Sequence, residues 1–187
     1  KPRPQVQAER RWPAESPAVA QPQKTLYMPV PMPWLGIGFK EQPIPAEDLR
    51  TEALYDLICG CILGGMSPLY RRLYDQGLVD PDFGGSVLHT EGCCCFFFAG
   101  ESSSPELVQQ MLLEEIARVR KEGVDREVFT LCKHERYGQL IENLENVEDS
   151  ASQMADFALA GQTVAQQIEM LAGLTAEDAD RALQQIF

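Results

Sequence analysis

The sequence CCCFFFA at residues 93–99 decides the fold, because it combines strand-forming residues with the absence of any polar side chain. Successive residues of a strand point to opposite faces of the sheet, so a run of this kind predicts a strand that is covered on both faces. We expect helices on one face and another surface on the other. The run is therefore predicted to be the central strand of a sheet.

The residues before this run indicate its neighbours in the sheet. A β-rich run at 78–90 is separated from CCCFFFA by only Glu91 and Gly92, a connection that favours an antiparallel hairpin. Residues 25–40 are also rich in strand formers but contain three prolines, which lack a backbone N–H. The paired part is therefore predicted at 34–39, at an edge of the sheet.

Apolar residues at helical spacing, bounded by caps and glycines, predict the other elements. The expected helices run from Pro45 to Gly64, from Ser67 to Gly77, from Ser103 to Gly123, from Asp125 to Leu144, from Ser150 to Ala160, from Thr163 to Leu171 and from Thr175 to Ile186. Because the strands are neighbours and the helices are segregated, the predicted class is α+β: a mainly antiparallel sheet with helices packed on one face.

Composition limits the possible functions. The 187 residues suffice for one domain, and a hydrophobic fraction of 44% can form a core. The net charge of −12 makes nucleic acid an unfavourable partner, because each phosphate contact would be repelled. No apolar stretch is long enough for a membrane span, and the start has no signal-peptide pattern, so we expect no membrane partner.

The beginning of the chain differs from the rest. Ten of the thirteen prolines lie between Pro2 and Pro45, and residues 1–40 carry six Lys and Arg against two Glu. We therefore predict a Pro-rich extended linker at 1–24 and a single α+β domain at 25–187. Because the first residue is Lys1 and not Met, we expect the chain to be part of a longer protein.

Three kinds of chemical site can be weighed. His134-Glu135 lacks a second histidine at the spacing of a zinc peptidase helix, since position 138 is Gly. A hairpin would bring His89 near Cys94, but Glu91 would raise the thiol pKa there. The glycines at 63–68 lack the GK[ST] ending of a phosphate loop. We therefore expect no catalytic site, no metal and no cofactor in this chain.

The six cysteines include no C-x-x-C pair, and neither histidine has zinc-ligand spacing to them. We expect all six to be reduced packing residues and the protein to be cytoplasmic. What remains is a surface that packs against a partner domain or binds an extended, basic peptide by strand addition.

Several stretches resemble a known family. The sequence GGMSPLYRRLYDQGL at 64–78, the two strands expected at 79–102, the helices at 125–161 and LTAED at 174–178 occur in the order and spacing of the insulinase/pitrilysin/mitochondrial-processing-peptidase family of zinc metallopeptidases. The resemblance covers residues 25–187 and is greatest to the bacterial zinc-protease-like branch.

This resemblance implies a parent protein of two halves that close around an unfolded peptide, with zinc bound by an H-x-x-E-H motif in one half. The motif is absent from this sequence. The implied identity is a non-catalytic domain at the start of the second half, with the N-terminal half and a peptide substrate as its partners. Zinc is then expected in the other half only.

The resemblance also suggests site residues. Several members contribute an Arg and a Tyr, seven positions apart, that stabilise the reaction intermediate electrostatically. Alignment on 73–78 places Tyr74 where the Arg is expected and leaves 79–81 near the Tyr position, so the pair is not kept. We expect Arg72 and Tyr74 to face the substrate cleft, and packing or solvated roles for them remain open.

Two hypotheses from different classes follow. The first is a domain that helps to enclose and bind a peptide beside a zinc-bearing half. The alternative is a structural or assembly domain of an inactive pseudo-peptidase, and the upstream sequence would distinguish them. A cysteine-based redox role is a weaker third option, and exposed apolar area makes a dimer of the isolated chain plausible.

Overall fold

The computed structural model describes Ser16 and residues 18–45, 47–90 and 92–187. These parts form an antiparallel sheet and a set of helices, which confirms the α+β class. The elements, in chain order, are β1 (Trp34–Glu41), α1 (Leu49–Leu63), α2 (Pro68–Asp75), β2 (Gly84–Thr90), β3 (Cys93–Glu101), α3 (Pro105–Glu122), α4 (Arg126–Glu145), α5 (Val147–Leu159), α6 (Val164–Gly173) and α7 (Ala176–Leu183).

The sheet has the order β1-β3-β2, so the CCCFFFA run lies in the central strand, as predicted. Both pairings are antiparallel: Phe98 is opposite Ile37 of β1 and Gly85 of β2. The second strand is shorter than predicted, because it begins at Gly84 and not at residue 78. Between residues 78 and 84 the chain forms a turn, in which the Phe83 N–H donates a hydrogen bond to the Asp80 carbonyl. This turn interrupts the hydrogen bonding to β3.

The core lies on one face of this sheet. Phe96 and Phe98 of β3 are fully buried, and the Tyr55 ring of α1 lies 4.9 Å from that of Phe96. The helix α1 supplies Ile58 and Ile62, both 0% exposed, to the same core. Burial of such side chains contributes about 1.5–3 kcal/mol each, so this shared core between the helices and the inner face of the sheet is the main source of stability.

The opposite face of the sheet corrects one expectation. Phe97 is 40% exposed, Leu88 is 53% exposed and Trp34 is 66% exposed. The predicted cover on both faces is therefore wrong for the described residues of this chain: helices pack on one face only. We call Trp34, Leu88, Cys95 and Phe97 the open face of the sheet, because the register places them on the side away from α1.

Helix ends follow the local caps. The helices predicted to begin at Thr163 and Thr175 both start with a capping box, in which the threonine side chain and that of Gln166 or Asp178 bond to each other's backbone N–H. The helix α5 begins three residues earlier than predicted, because the Asn146 side chain accepts hydrogen bonds from two free N–H groups of the first turn. The helix α7 ends at Leu183, before the predicted Ile186, because the chain turns there and carries the Phe187 ring to 4.7 Å from Phe96.

The predicted linker at 1–24 lies mostly outside the described residues, which include only Ser16 and 18–24 of it. Those residues are exposed and form no helix or strand. The Lys40 ammonium donates a hydrogen bond of 2.8 Å to the Ser16 carbonyl. Glu91 of the predicted hairpin turn also lies outside the described residues, and the division into a linker and a domain stays a prediction.

Within the described residues, no single helix has the length and apolar composition needed to cross a membrane. The pair α1 and α2 meets that test only jointly and is bent by 41° at its break.

The turn between α3 and α4 yields a stability prediction. Gly123 has φ +85°, and a Cβ there would lie 2.6 Å from Oδ1 of Asp180, the atom that accepts a hydrogen bond from Val124 N–H. We expect Gly123→Ala to lower the free energy of unfolding by about 1–3 kcal/mol, because strain and the displaced carboxylate both disfavour the folded state. Urea denaturation followed by circular dichroism measures the change.

Gly138 of α4 provides the matched control, because a Cβ there meets nothing within 4 Å. Gly138→Ala should raise the free energy of unfolding by about 0.5–1 kcal/mol through helix propensity. Equal stability of the two variants would show that the positive φ at Gly123 imposes no constraint.

Candidate functional site

The helix α2 carries the two site residues predicted from the sequence. Ser67 caps the start of this helix: its hydroxyl accepts a hydrogen bond of 3.1 Å from the Tyr70 N–H. Pro68 occupies the first helical position. Leu69 and Leu73 are 0% exposed and fix which side of the helix faces the core. The opposite side of α2 is consequently turned to solvent.

Arg72 and Tyr74 are both exposed, Tyr74 by 49%, and because they are two positions apart they lie on opposite flanks of α2, on either side of the buried Leu73. Their position is compatible with a cleft-facing role, which stays a prediction.

Tyr70 lies on the same flank of α2 as Tyr74, and sequence reasoning did not single it out. Its ring stacks on that of Tyr74, with centroids 6.0 Å apart and planes 15° from parallel. Its hydroxyl donates a hydrogen bond of 3.0 Å to the Pro81 carbonyl, so it ties α2 to the turn before β2. Desolvation, with the nearby Tyr74 and Asp80, raises the pKa of Tyr70. The i, i+4 spacing of the two tyrosines was the available signal.

The open face of the sheet is a second candidate surface. The residues opposite Phe97 on the two neighbouring strands are Gly38 and Ser86. Because these residues have no side chain or a small one, the Phe97 ring is accessible from both sides. At one end the Trp34 indole lies across the backbone of Gly36, since a Cβ there would be only 2.6 Å from Cζ3 of Trp34. Glycine within a strand is typical of a place where another backbone approaches closely.

The edges of the sheet are also available for pairing. Because the order is β1-β3-β2, β1 and β2 each pair with β3 alone among the described strands. An extended segment can therefore add to the sheet through main-chain hydrogen bonds, with alternate side chains over the open face.

The paired positions of His89 and Cys94 confirm the proximity expected from the hairpin. They do not form a nucleophilic pair. The His89 Nε2 lies 2.7 Å from the Ile44 carbonyl, which can only accept, so Nε2 carries the proton. Burial, with the neighbouring Glu41 carboxylate, raises the pKa of the Cys94 thiol to about 11. Cys94 therefore stays a neutral packing residue.

The other cysteines are free thiols as well, and Cys59, Cys61 and Cys132 are buried. A hydrogen bond with Cys132, together with burial, raises the pKa of the Cys61 thiol, whereas the same hydrogen bond lowers the pKa of Cys132. No group of three or more His, Cys, Asp or Glu side chains is placed to hold a metal ion within the described ranges. The donor set therefore does not fit a zinc site.

Comparison with known proteins agrees with this geometry. The family model described as the peptidase M16 inactive domain matches residues 2–136. The uncharacterized zinc protease YmfH of Bacillus subtilis is 22% identical over 184 residues, which are 97% of this chain and 43% of that protein. The chain thus spans less than half the length of this curated relative.

Solved structures share the fold. A protein of Alicyclobacillus acidocaldarius assigned as an M16-like peptidase superposes with a TM-score of 0.79 at 22% identity, over 86% of this chain and 39% of that one. The inactive peptidase domain of a Bordetella parapertussis protein assigned as a zinc protease gives 0.67 at 12% identity, over 86% and 87% of the two chains.

The fold and the match to a family model of inactive peptidase domains define the class: a non-catalytic α+β domain of the metallopeptidase type. The chain belongs to the peptidase M16 inactive-domain family. This confirms the resemblance to the insulinase and pitrilysin group that the sequence motifs indicated.

The two sides of β3 give a reactivity prediction. Cys94 is fully buried on the core side, whereas its neighbour Cys95 is only half-buried on the open face. We expect iodoacetamide to alkylate Cys95 of the folded chain well before Cys94, because alkylation requires access as well as a thiolate. Timed quenching and peptide mass spectrometry measure both rates, with urea-unfolded chain as the control. Equal rates in the folded chain would contradict this arrangement of β3.

Proposed function

We propose that this chain helps to enclose and bind an unfolded peptide within a zinc-metallopeptidase-like parent protein. The zinc would reside in another half of that parent, and the N-terminal half would be the partner of this domain. The membership in a family described as inactive peptidase domains is the observation that carries the proposal. The activity of the parent, as a zinc metalloendopeptidase or an inactive homologue, is part of the same proposal.

The open face supports peptide binding in particular. Trp34, Leu88 and Phe97 expose apolar surface beside two strand edges that pair with no other described strand, which is the chemistry that recognises an extended chain. Main-chain hydrogen bonds would supply affinity without demanding one sequence, as the binding of varied unfolded peptides requires. A domain that served only as a scaffold would need no such accessible edge.

The test uses a capped, fluorescent peptide that alternates valine and serine. We expect it to bind this chain, and Leu88→Ser to weaken the binding by about tenfold, because one apolar contact on the open face is lost. Fluorescence anisotropy measures the affinity. The matched control is Leu107→Ser, which removes a leucine of similar exposure from the surface of α3. Absence of binding, or equal loss in both variants, would contradict the proposal and favour the assembly role.

Arg72 and Tyr74 receive a separate prediction with the same probe. If the exposed surface of α2 faces the cleft, Tyr74→Ala and Arg72→Ala should each weaken the binding several-fold, because an aromatic surface and a guanidinium are typical of peptide contacts. The control is Lys121→Ala, which removes an exposed cation from the end of α3. Unchanged affinity in both variants would assign these residues a solvated role.

A further inference from the structure

The helices α4, α5 and α6 surround a cavity of about 450 Å³ that the surfaces described above do not include. The helix α5 forms one wall, and none of its residues is buried. Most helices of a small domain bury an apolar stripe, so a helix without one indicates an incomplete contact on that side.

The cavity is lined by hydrogen-bond acceptors that lack a donor or carry a negative charge. Oε1 of Gln153 is buried and has no hydrogen-bond partner among the described residues. Gln167 is 6% exposed, and it uses its Nε2 to donate to Gln162, which leaves its carbonyl oxygen to accept. The carboxylates of Asp149 and Asp156 also line the cavity. An unpaired buried acceptor is costly, so this lining favours a ligand that donates.

Arg136, the one cation among the lining residues, already has hydrogen-bonding and ionic partners. Arg136 lies 3.4 Å from a carboxylate oxygen of Asp56 and donates to Gln139 as well. Residues 134–160 hold six carboxylates and this single arginine, with no lysine. The electrostatic potential at the cavity is therefore negative, and it attracts a positively charged group.

Apolar side chains complete the lining. Leu140, Phe157 and Met170 provide surface for an aliphatic stem, whereas the acceptors provide partners for a charged head group. This combination matches lysine and arginine, which bury their methylene groups along apolar surface and keep the charge on polar partners. The volume of about 450 Å³ is larger than one long side chain and leaves space for water around it.

We propose that this cavity receives one lysine or arginine side chain of a bound polypeptide. The inference rests on the proposed function, since it assumes that a polypeptide lies on this domain, and it adds a preference for basic residues. Gln153, Gln167 and Asp156 accept hydrogen bonds from the cationic head group.

The experiment compares two capped alanine pentapeptides that differ only at the central residue, arginine or citrulline. Citrulline keeps the shape of arginine and lacks its charge. We expect the arginine peptide to bind the full chain about tenfold more tightly at low salt, and its NMR shift changes to cluster at Gln153 and Gln167. Equal affinities of the two peptides would overturn the inference.

Variants locate the effect. Asp156→Asn should abolish most of the preference for arginine, and Gln153→Met should reduce it while unfolding measurements show a folded chain. The control is Glu114→Gln, which removes an exposed charge from α3 and should leave the preference intact. An equal loss in Glu114→Gln would attribute the preference to net charge alone and overturn the site.

The two proposals can fail separately. If the valine–serine peptide binds and is weakened by Leu88→Ser, but arginine and citrulline are not distinguished, the basic-residue site is wrong and the peptide-binding function stands. If neither kind of peptide binds, both are wrong.

Discussion

The burial of the inner side of β3 in the helical core is the constraint on which the rest of the structure depends. Phe96 and Phe98 are buried in this core, and strand geometry then forces Phe97 and Cys95 to the other side. Phe97 is exposed and Cys95 is only half-buried for that reason, and not because a local sequence signal placed them there. The open face is thus a direct consequence of how the core is packed.

The end of the central strand β3 also positions the helix α2. Ser102, at the end of β3, is fully buried and forms a bridge with Val79, and the Ser103 hydroxyl donates to the Gly77 carbonyl just after α2. The end of the helix is therefore attached to the end of the central strand. With Leu73 held in the core, the outer side of α2 has a fixed orientation relative to the sheet, which a surface for peptide contact requires.

Much of this arrangement could be predicted from the sequence, and the exceptions have physical causes. Caps at Ser67, Thr163 and Thr175 and the central position of β3 depend on local chemistry, so pattern reasoning found them. A strand apolar on both faces does not reveal which face is covered, since that depends on elements distant in sequence. The cavity beside α5 was missed because it arises where three helices meet, and its residues show no motif. Tyr70 could have been found from its spacing to Tyr74.

The position of Phe187 has a further consequence, for folding. Its ring packs on Phe39 and Phe96, and its N–H donates to the Glu41 carboxylate across 146 positions of the chain. The packing of β1 therefore depends on contacts with Phe187, the last residue of the sequence. Contacts between such distant residues slow folding, because a long loop must be closed before any contact is gained. During synthesis, the aromatic cluster under β1 stays unfinished until the whole stretch has left the ribosome, so this domain is expected to reach its final packing late.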